Sequence, residues 1–171
     1  MQREVLTPSE RPSRSALFVP ADRPERFDKA WLSGADDVIL DLEDAVGLEH
    51  KDAARANVEK WLSADRRAWV RINAHDTPWH SRDLELLRCP WLIGVVLPKA
   101  EHLSARVVHT CTTLGKRLIP LIETAVGIQT AAAVAGTPGV SDWPSATLIS
   151  SSTLKSWATT MPCCISGPNW F

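Results

Sequence analysis

The chain lacks both a strong excess of charge and a long apolar run. Its 171 residues carry 19 basic and 20 acidic side chains, a formal net charge of −1. Such a balance argues against a general affinity for nucleic acid or for a membrane surface. No apolar run approaches the roughly 18 residues that a membrane span needs, and the polar first residues contain no signal-peptide core. We therefore expect one cytoplasmic domain, with neither nucleic-acid nor membrane partners.

Cysteine-based and dinucleotide-binding motifs are also missing. The four cysteines, Cys89, Cys111, Cys163 and Cys164, fit no zinc-site spacing, and adjacent cysteines make poor disulfide partners. We therefore predict free thiols. No G-x-G-x-x-G follows the first apolar run, which disfavours a dinucleotide-binding domain.

The chain does contain a regular alternation of short apolar runs and amphipathic stretches between residues 14 and 140. The apolar runs are rich in Val, Ile and Leu and nearly continuous, which is typical of strands buried on both faces. They predict five strands, at Ala16–Pro20, Asp37–Leu42, Ala68–Ile72, Leu92–Pro98 and Arg117–Ile122. This α/β pattern fits either an incomplete (β/α)8 TIM barrel, with about five of the eight units, or an open doubly wound sheet.

Helices are predicted between and after the strands. The first begins near Asp22, because Asp22 and Glu25 have capping-box spacing, and Gly34 lies where a C′ glycine belongs. The others cover about His50–Ala64, Arg82–Leu87, Leu103–Leu114 and Val126–Gly136.

Charged side chains follow the predicted strands at their carboxyl ends, where parallel α/β folds place their active sites. They are Asp41, Glu43 and Asp44 near the end of the second strand, Arg71 in the third, Lys99 after the fourth and Glu123 after the fifth. Carboxylates beside cations are typical of a site for Mg²⁺ and an anionic substrate. The guanidinium of Arg71 is suited to bind a carboxylate or an enolate.

Each of these residues also has a purely structural interpretation. Asp41 or Asp44 can be a helix N-cap, Glu43 can be an ion-pair partner of Arg71, and Lys99 can be solvated. The histidines lie on predicted helices or polar loops without a third metal ligand, so we expect them at the surface: His50, His75, His80, His102 and His109. The tryptophans at positions 31, 61, 69, 79 and 91 are expected to pack rather than to stack on bases.

Five linked motifs resemble the citrate lyase β-subunit family, which belongs with the HpcH/HpaI aldolases. They comprise Arg14–Pro20 with Pro24–Phe27, then Ile39–Val46, Val70–Asn73, Gly94–Glu101 and Ile119–Ala125. Their order and spacing match over about residues 13–140. The resemblance implies a TIM barrel, Mg²⁺, and reversible cleavage of a 3-hydroxyacyl-CoA, such as citryl-CoA or malyl-CoA, into a keto acid and acetyl-CoA.

The same resemblance implies a role for each site residue. Glu123 matches a magnesium ligand that also contacts substrate, and Arg71 matches the arginine that binds and polarises the keto-acid product. Glu43 matches an acidic residue that holds this arginine and water at the metal. Lys99 and Asp44 would line the substrate pocket. Members of the family often form homotrimers.

The resemblance stops after Val140, and the composition changes there. Residues 141–171 contain only two charged side chains, Asp142 and Lys155. We therefore divide the chain into a polar arm (1–13), a partial barrel domain (14–140) and an aberrant tail (141–171). The family continues with a sixth strand of the form Arg-Leu-x-Phe-Gly-x-x-Asp, whose aspartate is the second magnesium ligand.

A frameshift would account for the tail. Synonymous codons from Asp142 onward, read two bases later, can encode Leu-Ala-Phe-Gly-Asn-Ala-Asp, with the aspartate where Ile149 stands. We hypothesise loss of one base near the codon for Ser141 or Asp142, which sequencing of the gene would test; a single in-frame reading without a family-like alternate frame would contradict it. Such a chain would have an unclosed barrel with exposed edges, and we expect it to be inactive and prone to aggregation.

Three functions follow from the sequence. The first is a Mg²⁺-dependent carbon–carbon lyase acting on an acyl-CoA or keto-acid substrate. The second is a catalytically inactive, truncated remnant of such an enzyme. The third is a non-enzymatic α/β module that binds CoA or another anion. The motifs do not distinguish between the related CoA esters, or between free CoA and an acyl-carrier protein.

Overall fold

A five-stranded, all-parallel β-sheet forms the centre of the molecule. The structure, a computed structural model, describes residue 13 and residues 15–140. Its strands lie side by side in chain order: β1 Ala16–Pro20, β2 Asp37–Asp41, β3 Ala68–Arg71, β4 Leu92–Leu97 and β5 Arg117–Pro120. A doubly wound sheet reverses its strand order at a switch point, whereas a (β/α)8 barrel keeps chain order. The sequential order therefore confirms the barrel architecture, of which the described residues supply five units.

A helix follows each strand. The five helices are α1 Phe27–Trp31, α2 Lys51–Trp61, α3 His80–Asp83, α4 Ala105–Thr113 and α5 Ala125–Ala135. Short 3₁₀ segments precede α1 and α2, at Pro24–Arg26 and Leu48–His50, and another follows α3 at Leu84–Arg88. The structure confirms all five predicted strands and all five predicted helices. Their ends differ by one to a few residues, because the 3₁₀ turns extend or replace the terminal turns.

The predicted capping box at the first helix is wrong. Arg23, not Asp22, occupies the N-cap position, and no side-chain hydrogen bond caps the turn. Asp22 Oδ1 is instead buried without a hydrogen-bond partner. Pro24 begins the turn, and its fixed φ angle suits a helix start without any cap. Gly34 does adopt the left-handed conformation expected of it, with φ of 83°.

The two faces of the sheet carry separate apolar cores. The larger core lies between the sheet and its helices, where Val38, Leu40 and Val70 pack against helix residues such as Phe27 and Val58. The smaller core lies on the opposite face and consists of Ile39, Trp69, Val96, Ile119 and Leu121. Burial on both faces explains why the strand sequences are continuously apolar rather than alternating.

Trp69 is the largest side chain of the smaller core, and Gly94 makes room for it. The Trp69 indole is 1% exposed and donates through Nε1 to Asp37 at 3.0 Å. A Cβ atom on Gly94 would lie 2.8 Å from the Trp69 ring and 2.1 Å from the Arg117 carbonyl oxygen. Glycine is therefore required at position 94 for β4 to pair with β5 beside this indole.

Among the described strands, β1 pairs with β2 alone and β5 pairs with β4. Leu17 and Phe18 on β1 remain partly exposed. Beside β5, Val140 forms a parallel bridge with Leu118, so the chain reaches the sixth strand position at the last described residue. The tail at 141–171, with Cys163 and Cys164, lies outside the described residues, whereas Cys111 is a free thiol as predicted.

Within the described residues, no helix combines the length and the apolar character that crossing a lipid bilayer requires.

Candidate active site

The carboxyl ends of β2 to β5 bring the predicted charged residues to one edge of the sheet. Contacts within 4 Å link Asp41 and Glu43 to Arg71, Glu43 to Lys99, and Lys99 to Glu123. Parallel strands in chain order present their carboxyl ends at the same edge, so residues distant in sequence become neighbours. All five predicted site residues therefore belong to one cluster, although Asp44 lies at its margin.

Arg71 is held mainly by Asp41. Its Nε donates to Asp41 Oδ1 at 2.7 Å and its Nη2 to Asp41 Oδ2 at 2.5 Å, a two-pronged pair. Asp41 and Arg71 are also register partners of β2 and β3, which sets this geometry through the backbone. The guanidinium carbon lies 5.2 Å from the centre of the Phe18 ring. Arg71 Nη1 is left to face the centre of the cluster.

Asp41, predicted either as a carboxylate of the site or as a helix N-cap, has two sets of contacts in the structure. Its carboxylate accepts hydrogen bonds from the backbone N–H groups of Glu43, at 2.9 Å, and Ala45, at 3.3 Å. The same two oxygens bind Arg71. The expected contact between Glu43 and Arg71 is present as well, at 3.2 Å from Nη1 to Oε2, but it is the second anchor of the arginine.

Glu43 is a buried carboxylate without hydrogen bonds of its own. The residue is 5% exposed, and neither Oε1 nor Oε2 has a hydrogen-bond partner. Burial raises the pKa of Glu43 from 4.5 to about 7, and the negative charges of Asp44 and Glu123 add to this, against the lowering effect of Arg71 and Lys99. A group with this pKa can accept or release a proton near neutral pH.

Lys99 connects the two acidic sides of the cluster. Its backbone N–H donates to Glu123 Oε1 at 2.8 Å, and its Nζ lies 3.7 Å from Glu43 Oε1. The φ angle of Lys99 is 50°, in the left-handed region that non-glycine residues rarely adopt. Such a conformation is maintained only by its surroundings and is frequent at functional sites. The backbone at Lys99 thus contributes to the site as well as the side chain.

Asp44 occupies the solvent side of the cluster. Its side chain is 72% exposed, and its Oδ2 lies 3.9 Å from Arg71 Nη1. Solvent screens such a pair, so its contribution to stability is small. Asp44 is therefore placed at the mouth of the site rather than in its interior.

A buried polar network beneath the edge was not predicted. Asp83, fully buried, accepts from Arg55 Nε and Nη2 at 2.9 and 2.8 Å. It also accepts from the backbone and side-chain nitrogens of Asn73 at 2.9 and 2.7 Å. The Asn73 carbonyl oxygen lies 2.8 Å from Nδ1 of His80, which is buried rather than at the surface as expected. The network joins the end of β3 to α2 and α3. Local motifs do not reveal it, because Arg55 and Asp83 lie 28 positions apart in the sequence.

Lys51 is a second residue that the sequence did not single out. It lies at the first position of α2, is buried, and donates from Nζ to the carbonyl oxygens of Leu42 and Glu43. Nothing in the sequence distinguishes it from a solvated lysine on an amphipathic helix.

The described residues contain carboxylates at the sheet edge but no assembled group of metal ligands. No group of three or more His, Cys, Asp or Glu side chains arranged around a cation occurs among residues 13 and 15–140. Glu123 lies close enough to Glu43 for its negative charge to raise the pKa of the Glu43 carboxyl. Oxygen donors of this kind suit a hard cation, and a buried carboxylate without hydrogen bonds gains from positive charge nearby.

The family model for HpcH/HpaI aldolase/citrate lyase matches residues 14–142. The chain belongs to the HpcH/HpaI aldolase/citrate lyase family. The motifs that suggested this resemblance therefore identified the family correctly.

Relatives within the family cover the same region. A citrate lyase subunit β-like protein of Mycobacterium tuberculosis is 46% identical over 119 residues, 70% of this chain and 42% of that protein. A (3S)-malyl-CoA thioesterase of Cereibacter sphaeroides is 32% identical over 131 residues, 74% of this chain and 46% of that protein. The solved citrate lyase β subunit of M. tuberculosis, complexed with oxaloacetate and magnesium, superposes with a TM-score of 0.64 at 43% identity, over 75% of this chain and 56% of that one. The chain thus spans about half the length of these relatives.

Proposed function

We propose that this chain carries the substrate-binding half of a Mg²⁺-dependent carbon–carbon lyase. The substrate class is a CoA thioester of a 3-hydroxy acid, and the products are a 2-keto acid and acetyl-CoA. The observation that carries the proposal is the convergence of Arg71, Glu43, Lys99 and Glu123 at the carboxyl edge of the sheet. Family membership and the relatives named for citrate lyase and for a malyl-CoA ester support the substrate class.

Arg71 binds the acid end of the substrate in this proposal. Asp41 occupies Nε and one Nη2 hydrogen, which orients the guanidinium, and Nη1 remains directed toward the cluster. A guanidinium fixed in this way can donate to the carboxylate of a keto acid and to the oxygen that becomes its carbonyl. Preorganisation by Asp41 means that little reorientation is needed when substrate binds.

Glu43 is the group suited to proton transfer. In the cleavage direction, the 3-hydroxyl proton moves to a carboxylate as the C2–C3 bond breaks. The hydroxyl oxygen becomes the carbonyl oxygen of the keto acid, and the electrons of the C2–C3 bond pass to C2. They form the C1–C2 double bond of an enolate, whose negative charge lies on the thioester oxygen. A proton then adds to C2 to give acetyl-CoA. With a pKa near 7, Glu43 populates both protonation states at neutral pH, as a group that first accepts and then releases a proton must.

Glu123 is the residue that would hold Mg²⁺, with Glu43 as the neighbouring acceptor for water or hydroxyl. Bound Mg²⁺ would supply Lewis-acid stabilisation of negative charge on the keto-acid oxygens. The Lys99 N–H fixes one oxygen of Glu123 and leaves the carboxylate oriented at the edge of the sheet. Further ligands would come from water, from substrate and from residues outside the described range.

The test is product analysis with the 171-residue chain. Incubation with (3S)-malyl-CoA and Mg²⁺ should release glyoxylate and acetyl-CoA, and both EDTA and Arg71→Ala should abolish this. Glu59→Gln, on the exposed face of α2, is the matched control and should leave the reaction unchanged. Release of malate and free CoA would identify a thioesterase instead. Absence of any turnover by soluble, folded chain would favour the inactive remnant and reject the lyase activity for this molecule.

A further inference from the structure

The loop after β2, residues 42–46, is held by two buried side chains of opposite charge. Asp41 accepts hydrogen bonds from the backbone N–H groups of Glu43 and Ala45, at 2.9 and 3.3 Å. Lys51 donates from Nζ to the backbone carbonyls of Leu42 and Glu43, at 2.6 Å each. Buried backbone groups need such partners, and here one carboxylate satisfies donors while one ammonium satisfies acceptors.

Lys51 occupies an environment that is unusual for a lysine. The residue is 4% exposed, and its ammonium lies 5.6 Å from the centre of the Trp79 ring. Burial lowers the pKa of Lys51, and the carboxylates of Asp41 and Asp83 oppose this effect. A buried cation is costly unless its donors are satisfied, and two carbonyls plus an aromatic face match the three hydrogens of an ammonium. Each hydrogen of the Lys51 ammonium thus has a partner, either a backbone carbonyl or the Trp79 ring.

Glu43 depends on an anchored main chain because its carboxylate is held by ion pairs alone, with Arg71 Nη1 at 3.2 Å and Lys99 Nζ at 3.7 Å. Its two oxygens are buried without hydrogen bonds, although water is close by, since the adjacent Asp44 side chain is 72% exposed. A buried carboxylate without hydrogen bonds gains hydration if the loop that carries it moves toward solvent, and a fixed main chain opposes that movement. Fixation of the main chain on both sides of Glu43 is what Asp41 and Lys51 provide.

We infer that Lys51 is a positioning residue, which aims the Glu43 carboxylate at Arg71 and Lys99 by holding the carbonyls of Leu42 and Glu43. The effect of Lys51 on catalysis rests on the proposed lyase function, whereas its effect on the position of Glu43 is independent of that function. Lys51 is not expected to contact substrate, because its ammonium is enclosed beneath the loop.

The experiment compares Lys51→Met with Lys60→Met, an exposed lysine of the same helix, in the full chain without metal. Hydrogen exchange should accelerate roughly tenfold in peptides covering residues 42–46 of Lys51→Met, with β3 to β5 unchanged. Carbon-13 NMR of the Glu43 carboxyl gives a second readout. If Lys51 positions the loop, Glu43 reaches water in the variant and its pKa falls from about 7 toward 4.5.

The direction of that pKa change separates positioning from a charge effect. Removal of a positive charge alone would raise the pKa of Glu43 further, because the carboxylate loses a favourable partner. A raised pKa, or unchanged exchange in residues 42–46, would therefore overturn the inference. Lys51→Gln keeps one amide donor and should fall between wild type and Lys51→Met. It serves as the test variant if Lys51→Met does not fold.

Turnover provides the third readout. With Mg²⁺ and (3S)-malyl-CoA, Lys51→Met should lose at least about tenfold in kcat with a smaller change in KM, because Arg71 still binds the acid end. A change confined to KM would contradict positioning of the proton-transfer group. If wild type shows no turnover, the lyase proposal fails while exchange and NMR still decide the role of Lys51.

Discussion

Replacement of Glu43 by glutamine should stabilise the protein at alkaline pH. The buried carboxylate has a pKa of about 7 in the folded chain, against 4.5 as its ordinary value. The difference corresponds to roughly 3 kcal/mol for ionising Glu43 in the folded state. Glutamine has a similar shape and cannot ionise, so the Glu43→Gln variant avoids this cost.

The sign of the pH dependence follows from the raised pKa. The folded state binds the Glu43 proton more tightly than the unfolded state does, so the associated stability is fully present below pH 4.5. It is lost as the pH rises through about 7. Wild type and Glu43→Gln should therefore be similar in stability at acid pH, and the variant should be more stable by roughly 3 kcal/mol at about pH 8.5.

The assay is urea unfolding followed by tryptophan fluorescence at about pH 5 and about pH 8.5, in the presence of EDTA. Glu59→Gln, at an exposed position of α2, is the matched control and should show no such difference between the two pH values. Added Mg²⁺ should stabilise wild type at about pH 8.5 more than it stabilises Glu43→Gln. Equal or lower stability of Glu43→Gln at about pH 8.5 would refute the assignment of Glu43 as a strained, buried carboxylate.

Three further changes test other parts of the structure by urea unfolding. Gly94→Ala should lower the free energy of unfolding by about 3 kcal/mol, because the new Cβ atom would clash with the backbone of Arg117. Gly136→Ala is the control, since its Cβ atom has room. An equal loss of stability in both variants would contradict the close packing at Gly94. Asp83→Ala should cost roughly 3–5 kcal/mol, since it leaves Arg55 without its buried partner, and a loss below about 1 kcal/mol would refute that role. Lys99→Gly should stabilise by roughly 1 kcal/mol through relief of the left-handed backbone, and a destabilised variant would show that the side chain dominates there.

The barrel units were predictable because their signals are local. Continuous apolar strands separated by amphipathic stretches indicated parallel strands covered by helices, and the structure has them in the expected places. Strand ends marked by Asp41, Arg71 and Glu123 could also be read directly, because carboxyl ends of parallel strands share one edge. The local pattern could not distinguish a barrel from a doubly wound sheet, because both consist of β-α units and differ in the order of their strands.

The chemistry of the individual groups depended on tertiary structure. Local spacing assigned Asp22 to a capping box and His80 to the surface, yet Asp22 caps nothing and His80 is buried against Asn73. The pairing of Asp41 with Arg71 arises from strand register, which joins residues 30 positions apart.

The sequence by itself determined the family, the β-α repeat and the identity of the charged groups at the sheet edge, because these are properties of residue type and spacing. Only the tertiary structure decided how those groups act. The pKa of Glu43 depends on burial and on charges from β3 and from the loops after β2, β4 and β5. The anchoring by Lys51 depends on how α2 packs beneath β2. Desolvation and Coulomb interactions act through space, so chain position alone does not specify them.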